Sequence, residues 1–319
     1  MIIANPVYDS AFKYLMEDPQ IAKGIIGRII GREILEIDFK PQEYATITSS
    51  RELTFLRMDF HAIILTEENK KQKVLIELQK SKQSMNLSRF REYLGEQYAK
   101  ADSIRTVKDK KGNEAEEAEF YPIIIIYLLG YIENAGLPRV VCLKNQYYDV
   151  IRNQEIVGAK SEFLERLTHE SYMLQLAADE VRGSTPLERL LTLFSRTDFH
   201  TKMVDYPDAD EQPEDIKTDN LVQNSVKRLS RAVLDDAVKK QLKFEEEMEK
   251  QVQDIFNTLE ERNKEIEERN KEIEESKKEL KEKEQAIEKN KLVILNLAKM
   301  LKEAGLSQEE IQKQTGLLL

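Results

Sequence analysis

From Val252 to Leu301 the chain places an aliphatic residue at every seventh position: Val252, Leu259, Ile266, Ile273, Leu280, Ile287, Ile294 and Leu301. A strict period of seven is close to two helical turns, and sustaining it favours a left-handed supercoil. The residues between repeat almost unchanged, ERNKEIE twice from Glu261 and then ESKKELK and EKEQAIE. With the aliphatic residues at d, the a positions are Phe256, Asn263, Asn270, Lys277, Glu284, Lys291 and Ala298, so half of the seam is polar. Consecutive asparagines at a favour a parallel two-stranded register and also weaken it. This reading predicts a coiled coil that joins copies of the chain through residues 250–302. The other reading is a solitary charged helix held by pairs four apart, such as Glu265 with Arg269 and Glu267 with Lys271.

Such a tail accounts for a composition that is 40% hydrophobic, 34% charged and without Trp. The net charge of −10 divides into −1 for residues 1–150, −4 for 151–240 and −5 for 241–319. Overall acidity is therefore no argument against nucleic-acid binding by the front half. The single cysteine, Cys142, excludes an intrachain disulfide, and His61, His169 and His200 lack zinc-finger spacing. No basic segment followed by a long apolar run opens the chain, and the apolar run from Ile123 to Gly130 is too short to span a bilayer. A soluble, cytoplasmic protein without a membrane partner is the expectation.

The front half reads as α/β. Residues 1 to about 36 have helical spacing, with Asp9 as a cap. Thr54–Leu65 and Lys73–Gln79 read as strands joined by the charged turn EENKK, and Ser84–Asp102 reads as helix. Phe120–Tyr131 has the run of a strand buried on both faces. Residues 139–150 read as a further strand, followed by helix through Pro186–Phe194. The core is expected to close near residue 202. An acidic linker is expected over 203–219, which has almost no large apolar residues other than Tyr206 and Ile216. A long helix over 220–302 and a terminal helical hairpin over 303–319 complete the expectation.

The strand pair carries the chemistry. Alternation puts Glu77 and Gln79 on one face of β-structure and Ile76 and Leu78 on the other. Asp59, amid Phe55, Met58, Phe60 and Ile63, would be costly to bury without a partner. A divalent cation held by two carboxylates from adjacent strands is one such partner, because Mg²⁺ keeps much of its water and needs few protein oxygens. An exposed hairpin with Asp59 and Glu77 paired to Arg57 or Lys73 is the other reading. Between Lys70 and Arg91 there are seven bases and one acid, Glu77, a local +6 that suits a phosphate backbone or a solvated basic face. His61 shares the expected catalytic face and could be a ligand, a base or a structural residue.

Asp9-x-x-Phe12-Lys13, Asp59, Ile76-Glu77-Leu78-Gln79-Lys80 and Arg89-x-x-x-Tyr93 together resemble the PD-(D/E)XK nuclease family transposases, the group that includes the recombination-promoting nucleases. The stretch Leu167–Tyr172 and the ending Leu297–Leu301 through Gly305–Ile311 with Thr315–Leu317 resemble segments of the same group. The resemblance implies a restriction-endonuclease-like mixed sheet flanked by helices and a Mg²⁺-dependent (or Mn²⁺-dependent) DNA endonuclease. It implies Asp59 and Glu77 as metal ligands, with Gln79 at the place of the motif's Lys. Gln carries no proton or charge, so it can orient a water only. The electrophilic role would pass to Lys13, supported by Asp9 one turn away, because Lys80 points to the other strand face. Lys80, Lys82, Arg89, Arg91 and Tyr93 would meet DNA, although a surface Arg packed on a core-edge Tyr fits Arg89 and Tyr93 equally.

The ending KEAGLSQEEIQKQTGL resembles the first half of a helix-turn-helix, with Gly305 as a stop and Ser307 with Glu310 as a capping box. Without a second helix it reads as an assembly hairpin rather than a base reader. Two other functions remain open from sequence: an inactive DNA-binding scaffold assembled by its coil, which Gln79 in place of Lys allows, and an RNase or toxin-like nuclease.

Overall fold

Asp18 and Pro19 divide the stretch that apolar spacing predicts as one helical region. Asp18 accepts hydrogen bonds from the Gln20 and Ile21 amides at 3.0 and 3.2 Å, and Pro19 opens the new helix. The computed structural model describes residues 1–40, 43–47, 53–57, 60–79, 87–108, 114–177, 185–195, 201–305 and 307–316. The chain begins β1 (Ile2–Ala4), α1 (Asp9–Met16), α2 (Pro19–Ile30) and β2 (Ile34–Phe39). Gly31, at φ +70°, ends α2 in the left-handed conformation that glycine adopts without strain.

Then come β3 (Glu43–Ile47), β4 (Leu53–Arg57), β5 (Phe60–Thr66), β6 (Lys71–Gln79), α3 (Leu87–Ala99), β7 (Ser103–Lys108), β8 (Glu114–Glu119) and β9 (Ile123–Leu129). They are followed by β10 (Val140–Leu143), β11 (Tyr147–Asp149), β12 (Gln154–Ile156), α4 (Glu162–Leu167), β13 (His169–Gln175), α5 (Pro186–Ser195) and β14 (Met203–Asp205). The chain closes with α6 (Glu214–Lys217), α7 (Asn220–Ala232), α8 (Asp236–Glu303) and α9 (Gln308–Thr315).

A six-stranded mixed sheet, in the order β10-β13-β9-β6-β5-β2, organises the first of two units, Met1–Glu247. Strands β6, β9 and β13 are parallel, and β2, β5 and β10 run against their neighbours. Parallel central strands need both faces covered, which is why β9 reads IIIIYLL. Val74, Ile76, Ile124, Ile126, Tyr172 and Leu174 join a cluster with buried residues of α1, α2, α5 and α7. On the other face Leu75, Ile123 and Ile125 pack with Tyr93, Phe90, Leu94 and Tyr98 of α3. The sheet thus lies between helical layers, as an α/β chain of this pattern predicts.

Several expected boundaries move. The stretch expected as one strand over Thr54–Leu65 contains two, β4 pairing with β3 and β5 with β6. Residues 139–150 likewise contain β10, in the main sheet, and β11, in a separate hairpin with β12. The helix expected after residue 150 gives way to β13, which pairs in parallel with β9. The EENKK turn is present, with Asn69 at φ +56°.

The acidic stretch 203–219 is part of the core rather than a linker. β14 pairs with β1, and Tyr206 and Ile216 are buried. Core packing continues through Val222, Val226 and Leu229 of α7 to Val238 and Leu242 of α8. The division of the chain falls between Glu247 and Met248, not at residue 202 or 219.

Asp219 fastens this continuation. It caps α7 through the Leu221 and Val222 amides and pairs with Arg28 Nη2 at 2.7 Å and Arg189 Nε at 2.8 Å. Burial opposes its ionisation, but the Arg28, Arg189 and Val222 hydrogen bonds outweigh that cost and hold the carboxyl below its ordinary value. A depressed carboxyl pKa contributes stability above the unfolded value, about 3.9, which is lost as pH falls through the folded one. Asp219→Ala should therefore cost about 3 kcal/mol at neutral pH by leaving two guanidinium groups unpaired. The deficit should shrink in urea titrations carried below about pH 4.

In the second unit, Met248–Leu319, α8 continues to Glu303 and Gly305, at φ +88°, turns the chain. The expected capping box is formed: Ser307 Oγ accepts from the Glu310 amide and Glu310 accepts from the Ser307 amide at 3.0 Å. The helix expected over 220–302 is two, α7 and α8, with a break at Val233–Asp235. Among the described residues no helix is long and apolar enough to cross a membrane.

Candidate functional site

Strand β6 presents its residues as alternation requires. Val74 and Ile76 face the larger helical layer, while Leu75 packs under α3. Glu77 therefore rises on the α3 side, 7% exposed, and Gln79 follows half-buried at the strand's carboxyl end. Across the parallel ladder Glu77 is level with Tyr127 and Gln79 with Leu129. Burial, then the neighbouring charge of Glu77, pushes the Tyr127 phenol well above its ordinary range, so it stays neutral. Phe90 of α3 closes over the Tyr127 ring at 5.0 Å.

On the antiparallel side Phe60 is paired with Ile76 and His61 with Leu75. His61, 5% exposed, belongs to the same face as Glu77. Asp59, Lys80 and Lys82 lie outside the described residues, as does the side chain of Arg89. Arg91 is exposed on α3.

Three sequence expectations change. Tyr93, expected at the DNA backbone, is 2% exposed and packs with Leu75 and Ile125, so it is a core residue. Lys73, a candidate partner for Glu77, is committed to Asp102 at 2.7 Å and to the Gln97 carbonyl at 2.8 Å. The local +6 is also split by the strand itself. Lys70, Lys71 and Lys73 stand at the amino end of β6, about 20 Å before Glu77 for Lys71, while the other four bases follow it in sequence.

Lys13 and Asp9 do come together, Nζ to Oδ2 at 3.0 Å. They do so on α1, whose buried residues cover the face of Ile76 rather than that of Glu77. The α1 amino end is closed by Glu245, which accepts from the Asp9 and Ser10 amides at 2.6 and 3.2 Å.

One cation at this end of the sheet escaped sequence reasoning. The carboxyl ends of the parallel strands are tied in a row: the Gly130 amide to the Gln79 carbonyl, the Leu176 amide to the Leu129 carbonyl, and the Gln175 amide to the Arg139 carbonyl, at 2.7–2.8 Å. Arg139 is thus about three strand spacings, roughly 14 Å, from Gln79. Its Nη2 reaches the Leu176 carbonyl at 3.5 Å, while Nε and Nη1 have no hydrogen-bond acceptor among the described residues. Burial lowers its pKa, with Glu188 opposing, yet a guanidinium remains charged in proteins.

A larger cleft, about 760 Å³, opens at the opposite, amino ends of the strands. Its charges cancel in pairs: Lys70–Glu68, Lys160–Glu165, Arg166–Glu162 and Arg32–Glu170. A cleft without a field of one sign is poorly matched to a phosphate backbone, so size does not decide the site here.

Glu77 and Gln79 offer hard oxygen donors at the strand end, a set that suits Mg²⁺ or Mn²⁺ better than a softer metal. Among the described residues no three His, Cys, Asp or Glu side chains gather, and Asp59 is not among those residues. No family model, no curated protein and no solved structure matches the chain.

Proposed function

We propose that the chain is a metal-dependent DNA endonuclease, hydrolysing phosphodiester bonds at the α3 side of β6 on a restriction-endonuclease-like sheet. The observation that carries this reading is the register of β5 on β6. Phe60 is opposite Ile76, and the next residues in the chain are Asp59 before Phe60 and Glu77 after Ile76. Glu77, joined by a second carboxylate, would suit one divalent cation. When bound, it would supply Lewis acidity to a phosphate oxygen and lower the pKa of an attacking water.

The remaining chemistry belongs to side chains. Glu77, with Asp59, would hold the cation. Gln79 would orient the water through its amide. Tyr127, kept neutral, adds no competing charge beside Glu77. Lys13 has its ammonium on Asp9, so its contribution would be electrostatic and from the α1 layer. Arg91, Lys80, Lys82 and Arg89 are the proposed backbone contacts.

Purified protein should cut DNA with Mg²⁺ or Mn²⁺ and stop when the metal is chelated. Binding without cutting under either ion would favour the scaffold reading, which Gln79 in place of Lys supports. Cutting of RNA alone would favour the RNase. Arg91→Gln, at an exposed base on α3, should weaken duplex binding several-fold and lower the salt slope of affinity by about one, as loss of a single phosphate contact does. An unchanged slope would remove Arg91 from the interface.

A further inference from the structure

Within the second unit the heptad residues Leu259, Ile266, Ile273, Leu280 and Ile287 are 50–61% exposed. They form one apolar stripe along α8. From Leu259 to Ile294 it spans five heptads, about 52 Å of helix, longer than the three or four that mark a coiled coil. A stripe of this length on a soluble helix calls for a partner, and its flanks say which.

The e positions are Glu260, Glu267, Glu274, Lys281 and Glu288, and the g positions Arg262, Arg269, Ser276, Lys283 and Asn290. In a parallel, in-register pair each g residue meets the e residue five positions on in the other strand. That sets Arg262 against Glu267 of the partner subunit, Arg269 against Glu274 of the partner subunit and Lys283 against Glu288 of the partner subunit. Ser276 and Asn290 complete the series without opposing like charges. An antiparallel pair sets e against e and g against g, which brings glutamates together on one flank and bases on the other.

These six charged residues form no ion pair within the chain among the described residues, where the seam's own four-apart pair is Glu260–Lys264 at 3.0 Å. The pairs Glu265–Arg269 and Glu267–Lys271, expected of a solitary helix, are likewise not formed among the described residues. Asn263 and Asn270 at a can bond across a parallel seam to their own copies. The carboxyl limit of the seam is also marked. Ala298, an a position, is only 1% exposed in the single chain, and it and Ile311 of α9 alone are buried among this unit's described residues. The segment free to pair therefore ends near Ile294, short of residue 302.

We infer that residues 259–294 bind the same segment of a second copy of this chain as a parallel, in-register, two-stranded coiled coil. The full chain in sedimentation equilibrium should weigh twice 37.2 kDa. Ile273→Asp, at a position exposed in the single chain, should leave the core folded and weaken the dimer at least about 100-fold by removing two buried aliphatic side chains. Orientation is read by Leu259→Cys in a Cys142→Ser background, which should give a disulfide-linked dimer on mild oxidation. Register is read by charge exchange. R262E/R269E and E267K/E274K should each dimerise about tenfold or more weakly alone, and a mixture of the two should recover the heterodimer. A monomer or trimer overturns the inference. So does a Leu259→Cys chain that links only to a Glu284→Cys chain, as an antiparallel pair centred between Asn270 and Ile273 would.

Discussion

Glu77→Gln should lower metal-dependent DNA cleavage at least about 100-fold, the loss typical when a group that organises transition-state charge is removed. The substitution keeps the shape of the side chain and removes a carboxylate that is 7% exposed. Because burying an ionised carboxyl is costly, the variant should unfold no earlier than the parent on heating. Asp59→Asn should show the same loss, and the two together should lose little more than either alone, since both would act through the one proposed cation. Full cleavage by either single variant would remove the proposed site. Equal loss of cleavage and of folding would mean that Glu77 is structural.

The largest stability effect is expected at Asp102. Lys73, rooted in the central sheet, drives its ammonium to Asp102 and to the Gln97 carbonyl in the last turn of α3, and both charged groups are at most 5% exposed. Asp102 also accepts from the Tyr121 amide at 2.8 Å, just before β9. One pair thus fastens β6, the end of α3 and the entry to β9. Asp102→Ala would leave the ammonium buried with a carbonyl alone, a change that costs about 3–5 kcal/mol in other buried pairs. Lys73→Met with Asp102→Leu should recover most of that loss, because both desolvation costs go together.

The pH dependence has a definite sign. Burial, only partly offset by Asp102, holds the Lys73 pKa below its ordinary value. A base with a depressed folded pKa is least favourable when protonated, so stability rises as pH climbs from the folded pKa towards the unfolded value, about 10.4. Asp102→Ala should therefore recover part of its loss in alkaline urea titrations. A variant as stable as the parent at neutral pH would show that the pair contributes nothing.

What was legible in the sequence was whatever repeats along one element. The apolar run of β9, the alternation that separates Glu77 and Gln79 from Ile76, and the Ser307 capping box all appear as read. What depends on contacts distant in sequence was not legible. Lys73 and Asp102 meet only because α3 intervenes between them. Tyr93 looked like a phosphate ligand one turn from Arg89, but helical phase turned it into the core beneath α3. β13 was hidden because HESYMLQ mixes polar and apolar residues, its buried side chains being Tyr172, Leu174 and Gln175. In 203–219 composition misled, since two of its few apolar residues, Tyr206 and Ile216, are buried and Asp219 serves as a cap.

Glu77 and Asp59 are proposed to hold one catalytic cation. Crystals soaked in Mn²⁺ and measured for its anomalous signal test it directly. A single strong peak is expected within about 2.0–2.5 Å of a Glu77 oxygen and of an Asp59 oxygen. Protein that cuts DNA while its Mn²⁺ lies elsewhere, with Glu77 uncoordinated, would contradict it.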